Sequence, residues 1–235
     1  MDPFLPRSEQ DTPGWGPEVI VIHPPSFDAV QDNHGHGTFI ANQIVGEIGN
    51  EIGSFGVCES RCVVLPVKVL DDSGTGDTAA IADGIEWAVD NGADVINMSL
   101  GMVAPLNAMD DPAFAAMQAP IVAALEHAAA NDVVVMAAAG NHGVSWQHAA
   151  AAWPAAFEQA TAVAAADSDG SRLWFSAHSN WAGGVEIAAP GCVHADLEPS
   201  HVFSDGQATA GEWCGTSMAT PVAAAVAAMT RAVFS

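Results

Sequence analysis

The stretch VVLPVKVLDDSGTGDTAAIADGIEWAVDNGADVINMSLG, residues 63–101, reads as strand, turn, helix and strand in succession. Residues 63–70 are a nearly continuous apolar, β-branched run, the composition of a strand covered on both faces. DDSGTGD, residues 71–77, is dense in turn formers. TAAIADGIEWAVDNG, residues 78–92, switches to amphipathic helical spacing and stops at Asn91-Gly92. DVINMSLG, residues 94–101, returns to the strand pattern. The alternation predicts a parallel sheet with helices packed on its faces.

The same alternation continues outward. TFIANQIVGEIG (38–49) spaces Ile40, Ile44 and Ile48 four apart, as one helix face requires. IVAALEHAAAND (121–132) reads as a helix and VVVMAAAG (133–140) as a strand. TAVAAA (161–166) and VEIAAPG (185–191) are short strands, and a terminal helix runs from about Thr216 to Ala232. The expected fold is α/β, a doubly wound, mostly parallel sheet with helices on both faces. No repeat or linker divides residues 38–235, so 1–235 is expected to be a single domain. Residues 1–29 are atypical, with one strand candidate, EVIVI (18–22), set among prolines and polar residues.

Twenty-eight acidic residues face five basic ones in the 235-residue chain, for a net charge of −23, and Lys68 is its only lysine. Such a surface repels nucleic acid and anionic lipid, so neither is an expected partner. No run approaches the about 18 uninterrupted apolar residues that cross a bilayer, and the N-terminus has no signal-like apolar core. The cysteines form a close pair, Cys58 and Cys62, and a distant pair, Cys192 and Cys214, without Cys-x-x-Cys zinc knuckles. Two disulfides are expected, with four buried thiols as the alternative; bridges imply a secreted, extracellular protein.

Three motifs carry chemistry. CGTSMATPVAAAVAAM (214–229) puts Ser217 where a glycine turn enters a long helix, beside backbone amides at the positive end of the dipole. Pro221 suits a first turn; a plain serine cap is the bland alternative. GHGTF (35–39) mounts His36 between glycines at a helix start, as a general base needs. A turn with an incidental histidine, or a His34-x-His36 metal pair lacking a clear third ligand, are the alternatives. AAAGNHG (137–143) ends a strand at Gly140-Asn141, so the Asn141 amide projects from the carboxyl edge of the sheet, where ligands of such folds bind.

His36 in GHGTFIA, Asn141 in AAAGN and Ser217 in GTSMATPVAA together resemble, in order, three of the four motifs of the subtilisin-like serine peptidases, the subtilase family. The resemblance spans about residues 30–232 and takes in GADVINMSLG (92–101) and WPAAFEQATAVAAAD (153–167). It implies a subtilisin-like fold and a serine endopeptidase: Ser217 the nucleophile, His36 the base, Asn141 with the Ser217 amide the oxyanion hole. It also implies a polypeptide substrate bound as an extended strand against Ser99, Leu100 and Gly101 on one side and Ala138 and Gly140 on the other. A monomer without a catalytic cofactor is expected. Calcium stabilises many subtilases, but LDDSGTGD (70–77) matches no calcium loop, and no metal ligand is assigned.

The fourth motif is absent. The family's acid follows a buried strand in an Asp-Thr-Gly or Asp-Ser-Gly motif some thirty or more residues before the histidine. Here EVIVI is followed by His23-Pro24-Pro25, 13 positions before His36. Asp11-Thr12-Pro13-Gly14 follows FLPRSEQ, which is no buried strand; Asp28 has no motif; Asp32 fits the aspartate that precedes the histidine motif. The expectation is that EVIVI is the family's second strand and that the acid-bearing segment is missing. Loss of the acid alone costs about 3 × 10⁴ in kcat in a subtilisin, so an impaired enzyme and a non-catalytic peptide- or partner-binding module both stay open.

Overall fold

The computed structural model describes residues 18–22, 32, 34–46, 56–143, 145, 150–170, 184–196 and 210–234. In chain order the elements are β1 (Glu18–Ile22), α1 (His36–Val45), β2 (Val63–Val67), α2 (Thr78–Asp90), β3 (Val95–Met98), β4 (Met102–Pro105), α3 (Pro112–Ala130), β5 (Val134–Ala138), β6 (Ala150–Trp153), β7 (Thr161–Ala166), β8 (Val185–Pro190), β9 (Cys192–Asp196), β10 (Ala210–Cys214) and α4 (Thr216–Phe234). Six strands form one sheet in the order β2-β1-β3-β5-β7-β8, every pair parallel.

Strand alternation divides the core. Ile96, Met98, Val135, Ala137 and Ala162 face one side and pack with Ile81 and Ile85 of α2 and Ile121 and Leu125 of α3. Val95, Met136, Val163 and Ala165 face the other and pack with Phe39, Ile40 and Ile44 of α1 and Met218, Ala219 and Ala223 of α4. Successive strand residues point to opposite faces, so strands covered on both sides must be apolar throughout. The fold is the doubly wound α/β sheet that the alternation predicts.

Helix boundaries follow from caps. The Asp77 carboxylate accepts the Ala80 N–H and starts α2, and Asn91 with Gly92 (φ 86°) ends it. Gly84 lies so close to β2 and its continuation that a Cβ there would meet Val69 Cγ1 at 2.4 Å. Asp111 caps α3 through the Ala113 N–H, with Pro112 in its first turn.

Some boundaries differ from expectation. The strand of 63–70 ends at Val67. Helix α3 starts nine residues before Ile121 and runs through Pro120. That proline and Ala116 one turn earlier are exposed, so solvent can satisfy the carbonyl that loses its donor. Two antiparallel pairs, β4 with β6 and β9 with β10, were not evident from the sequence. Helices α3 and α4, each 19 residues, are long and apolar enough to cross a membrane by composition, but each packs one side against the sheet.

EVIVI forms β1, an interior strand bonded to β2 on one side and β3 on the other. Its carboxyl end lies at the same sheet edge as those of β3 and β5. No place remains between β1 and its neighbours for a further strand. Asp11, Asp28 and His23 lie outside the described residues.

Candidate active site

β3 and β5 are adjacent and in register, Met98 opposite Ala137, so the chain leaves both at one edge. Ser99, Leu100 and Gly101 continue from β3; Ala138 ends β5, and Ala139, Gly140 and Asn141 follow. A Cβ on Gly101 would meet the Trp153 carbonyl at 2.9 Å, which holds this segment close against β6.

Asn141 is tied to the start of α4. Its Oδ1 accepts the Thr216 N–H (2.9 Å) and the Thr216 hydroxyl (3.0 Å), while Thr216 Oγ1 accepts the Gly140 N–H (3.1 Å). A backbone donor on Oδ1 fixes which end of the amide is which. Among the described residues the Asn141 Nδ2 hydrogens have no acceptor, and neither has the Ser217 N–H in the first turn of α4. Two donors on Asn141 and Ser217 are thus available at one helix start, the equipment of an oxyanion site. Gly215 leaves the amide its room: a Cβ there would lie 3.2 Å from Asn141 Nδ2.

Ser217 is the second residue of α4. Its hydroxyl donates to the Ser99 carbonyl at 3.4 Å, and Ser99 Oγ donates to the Ser217 carbonyl at 2.9 Å. Buried Asn97 supports Ser99 through Nδ2 to Oγ (3.1 Å). Behind Ser217, Cys192 and Cys214 are bridged, and the Gly215 N–H bonds to the Gly191 carbonyl. The second bridge joins Cys58 and Cys62, and no free cysteine remains. The Cys192–Cys214 bridge is the one expected from sequence; Thr216 was not identified there, because its partners Asn141 and Gly140 lie 75 and 76 residues earlier in the chain.

His36 opens α1. The Phe39 ring, in the first turn of α1, lies 5.6 Å from Trp213, four residues before Ser217. At the other end, the Cys58 N–H bonds to the Ile44 carbonyl and the Cys58 sulfur lies 3.4 Å from the Ala225 carbonyl. Helices α1 and α4 therefore run side by side in one direction, and His36 and Ser217 come from their adjacent starts. Ser217 Oγ bonds to Ser99 and not to His36.

Burial pushes the half-buried His36 imidazole down to about 4, His34 adds to this, and Asp32 opposes it. The ring is therefore neutral near pH 7, the form that accepts a proton. His34 stands edge-on to it, ring centres 6.3 Å apart. The Asp32 carboxylate accepts the N–H groups of His34, Gly35 and Thr38 and the Thr38 hydroxyl. Among the described residues, no group of three or more His, Cys, Asp or Glu side chains could hold a metal ion. In the 71–77 turn, Asp71 Oδ1 accepts from Ser73 Oγ, Ser73 N and Thr75 N, and these bonds hold its carboxyl below the usual range.

Comparison with known proteins gives one direction. The Subtilase family model matches residues 22–235. M-protease of Shouchella clausii (strain KSM-K16) is 35% identical over 207 residues, covering 88% of this chain and 47% of the relative. Subtilisin Savinase of Lederbergia lenta is 35% identical over 207 residues, covering 88% and 66%. The chain thus spans about half to two thirds of the length of these relatives. A solved structure described as a cold adapted subtilisin-like serine proteinase superimposes with a TM-score of 0.65 at 26% identity, covering 92% of this chain and 75% of that one.

Proposed function

The chain belongs to the subtilase family, and on that premise we propose that it is a serine endopeptidase working through an acyl-enzyme. Ser217 Oγ attacks the peptide carbonyl carbon while His36 takes the hydroxyl proton. The carbonyl oxygen becomes an oxyanion held by Asn141 Nδ2 and the Ser217 N–H. Collapse breaks the C–N bond, and His36 gives its proton to the departing amine. Water then repeats the sequence: His36 removes one of its protons, its oxygen attacks the ester, and the proton returns to Ser217 as the acid leaves. The observation that carries this reading is the Asn141 amide, held through Oδ1 by Thr216 at the start of α4, with no acceptor for Nδ2 among the described residues.

The substrate is an extended polypeptide along Ser99, Leu100 and Gly101 on one wall and Ala138 and Gly140 on the other, at the edge where β3 and β5 end. The protein acts as a secreted monomer of one domain, 1–235, which two disulfides suit. No cofactor enters the chemistry. A structural calcium ion, as in many subtilases, has no assigned ligands here.

The second reading, a peptide-binding module without turnover, is favoured by two observations. Ser217 Oγ is bonded to a carbonyl, and β1 is followed in sequence by His23-Pro24-Pro25, with no Asp-Thr-Gly or Asp-Ser-Gly motif. Digestion of an unfolded protein separates the two. Turnover by the wild type that Ser217→Ala abolishes supports the peptidase; peptide binding that survives Ser217→Ala, with no turnover in either protein, supports the module.

A further inference from the structure

We propose that Asp32 is a positioning residue for His36: its carboxylate fixes the start of α1 and supplies the negative charge that steadies the imidazolium formed as Ser217 gives up its proton. This rests on the reading of His36 as the base. Both carboxylate oxygens are engaged, Oδ1 with the N–H groups of His34 (3.1 Å) and Gly35 (2.8 Å), and Oδ2 with the N–H (2.8 Å) and hydroxyl (3.0 Å) of Thr38. These bonds bracket His36 on both sides in sequence. Gly35, the residue at the helix boundary, has no side chain to cap α1, and Asp32 meets that need from three residues upstream.

The charge matters because burial and His34 both oppose an imidazolium at His36. The ring is desolvated, and it sits at the positive end of a helix dipole. His34, whose ring faces it edge-on at 6.3 Å, repels a second positive charge when protonated. Asp32 acts the other way and favours the charged ring. During acylation the proton moves from Ser217 Oγ to His36, and Asp32 stays a carboxylate throughout. Its part is electrostatic and geometric.

The test is an NMR titration of the His36 ring in wild type, Asp32→Asn, Asp32→Ser and Thr38→Val, paired with the pH dependence of Ser217 labelling by a fluorophosphonate. Asn and Ser both keep an oxygen acceptor for the helix start while removing the charge. Both should lower the His36 midpoint by about one unit, move the acid limb of labelling with it, and cut the plateau rate on the order of tenfold. Thr38→Val removes one donor and no charge, so it should lower the melting temperature and leave the midpoint in place. An unmoved or raised midpoint in the Asp32 variants, with melting temperature alone reduced, makes Asp32 a helix cap only and overturns the proposal. Absence of wild-type labelling at every pH brings down the base reading and this inference together; normal wild-type labelling with an unmoved midpoint brings down the inference alone.

Discussion

Thr216 has its side chain and N–H directed at two residues 75 and 76 positions earlier in the chain, with Thr216 itself fully buried. Its hydroxyl and N–H hold Asn141 Oδ1, which leaves Nδ2 without an acceptor among the described residues. Asn141→Ala removes an oxyanion donor outright and should lower kcat by about 10²–10³ with KM nearly unchanged. Thr216→Val keeps the shape but loses the hydroxyl; it should lower kcat about tenfold and cost about 1–3 kcal/mol of stability, because the Gly140 N–H loses its acceptor. Steady-state kinetics and denaturant melts read both. Alanine at Asp11 or Asp28 should not lower the rate by the thousands-fold that loss of a working triad acid produces; a fall of that size at either, with the fold intact by circular dichroism, identifies it as that acid.

The site depends on how elements end. The hairpin β9–β10 is closed by Cys192–Cys214, a bridge 22 residues apart in sequence, directly before the Ser217 turn. Replacing both cysteines by serine should cost about 2–4 kcal/mol and lower the labelling rate of Ser217, since Gly215 is held by Gly191 at the foot of that hairpin. His36 at the start of α1 predicts a pH effect of definite sign. Its folded pKa is about 4, below the usual 6.5, so the unfolded chain binds more protons between those values. Stability should be full above pH 6.5 and fall as pH drops toward 4, and His36→Gln should flatten that slope in thermal melts. The helices and parallel strands were legible in sequence because burial on both faces forces the apolar runs of 95–98 and 134–138. The β4–β6 pair was not, since MVAP and AAAW pair only after the chain has closed over 45 residues. The helix read over 121–132 starts at Pro112, because sequence does not show that the side carrying Pro120 faces solvent. For the site, Ser217, His36 and Asn141 were proposed from glycine turns at element ends, whereas Thr216 depends on residues 75 and 76 positions away that only the fold brings near.

Across the whole molecule, carboxylates far outnumber cations, 28 to five. Lys68 pairs with Asp72, and Arg231 ties the end of α4 to Asp94 and Asp132 beside the starts of β3 and β5. The net charge of −23 makes repulsion the dominant long-range term, so the melting temperature should rise from dilute buffer to molar salt. A flat or falling curve would show the charges already neutralised by bound ions or pairs. The sheet, the two core layers and the parallel helices α1 and α4 converge on one edge, which carries the proposed nucleophile Ser217 and its base His36. The most direct test of that claim is peptide mapping of the adduct formed by a fluorophosphonate with intact protein at neutral pH. A single adduct on Ser217 is expected, lost in Ser217→Ala and slowed by orders of magnitude in His36→Ala. No adduct on Ser217, or one that forms equally fast without His36, would contradict it.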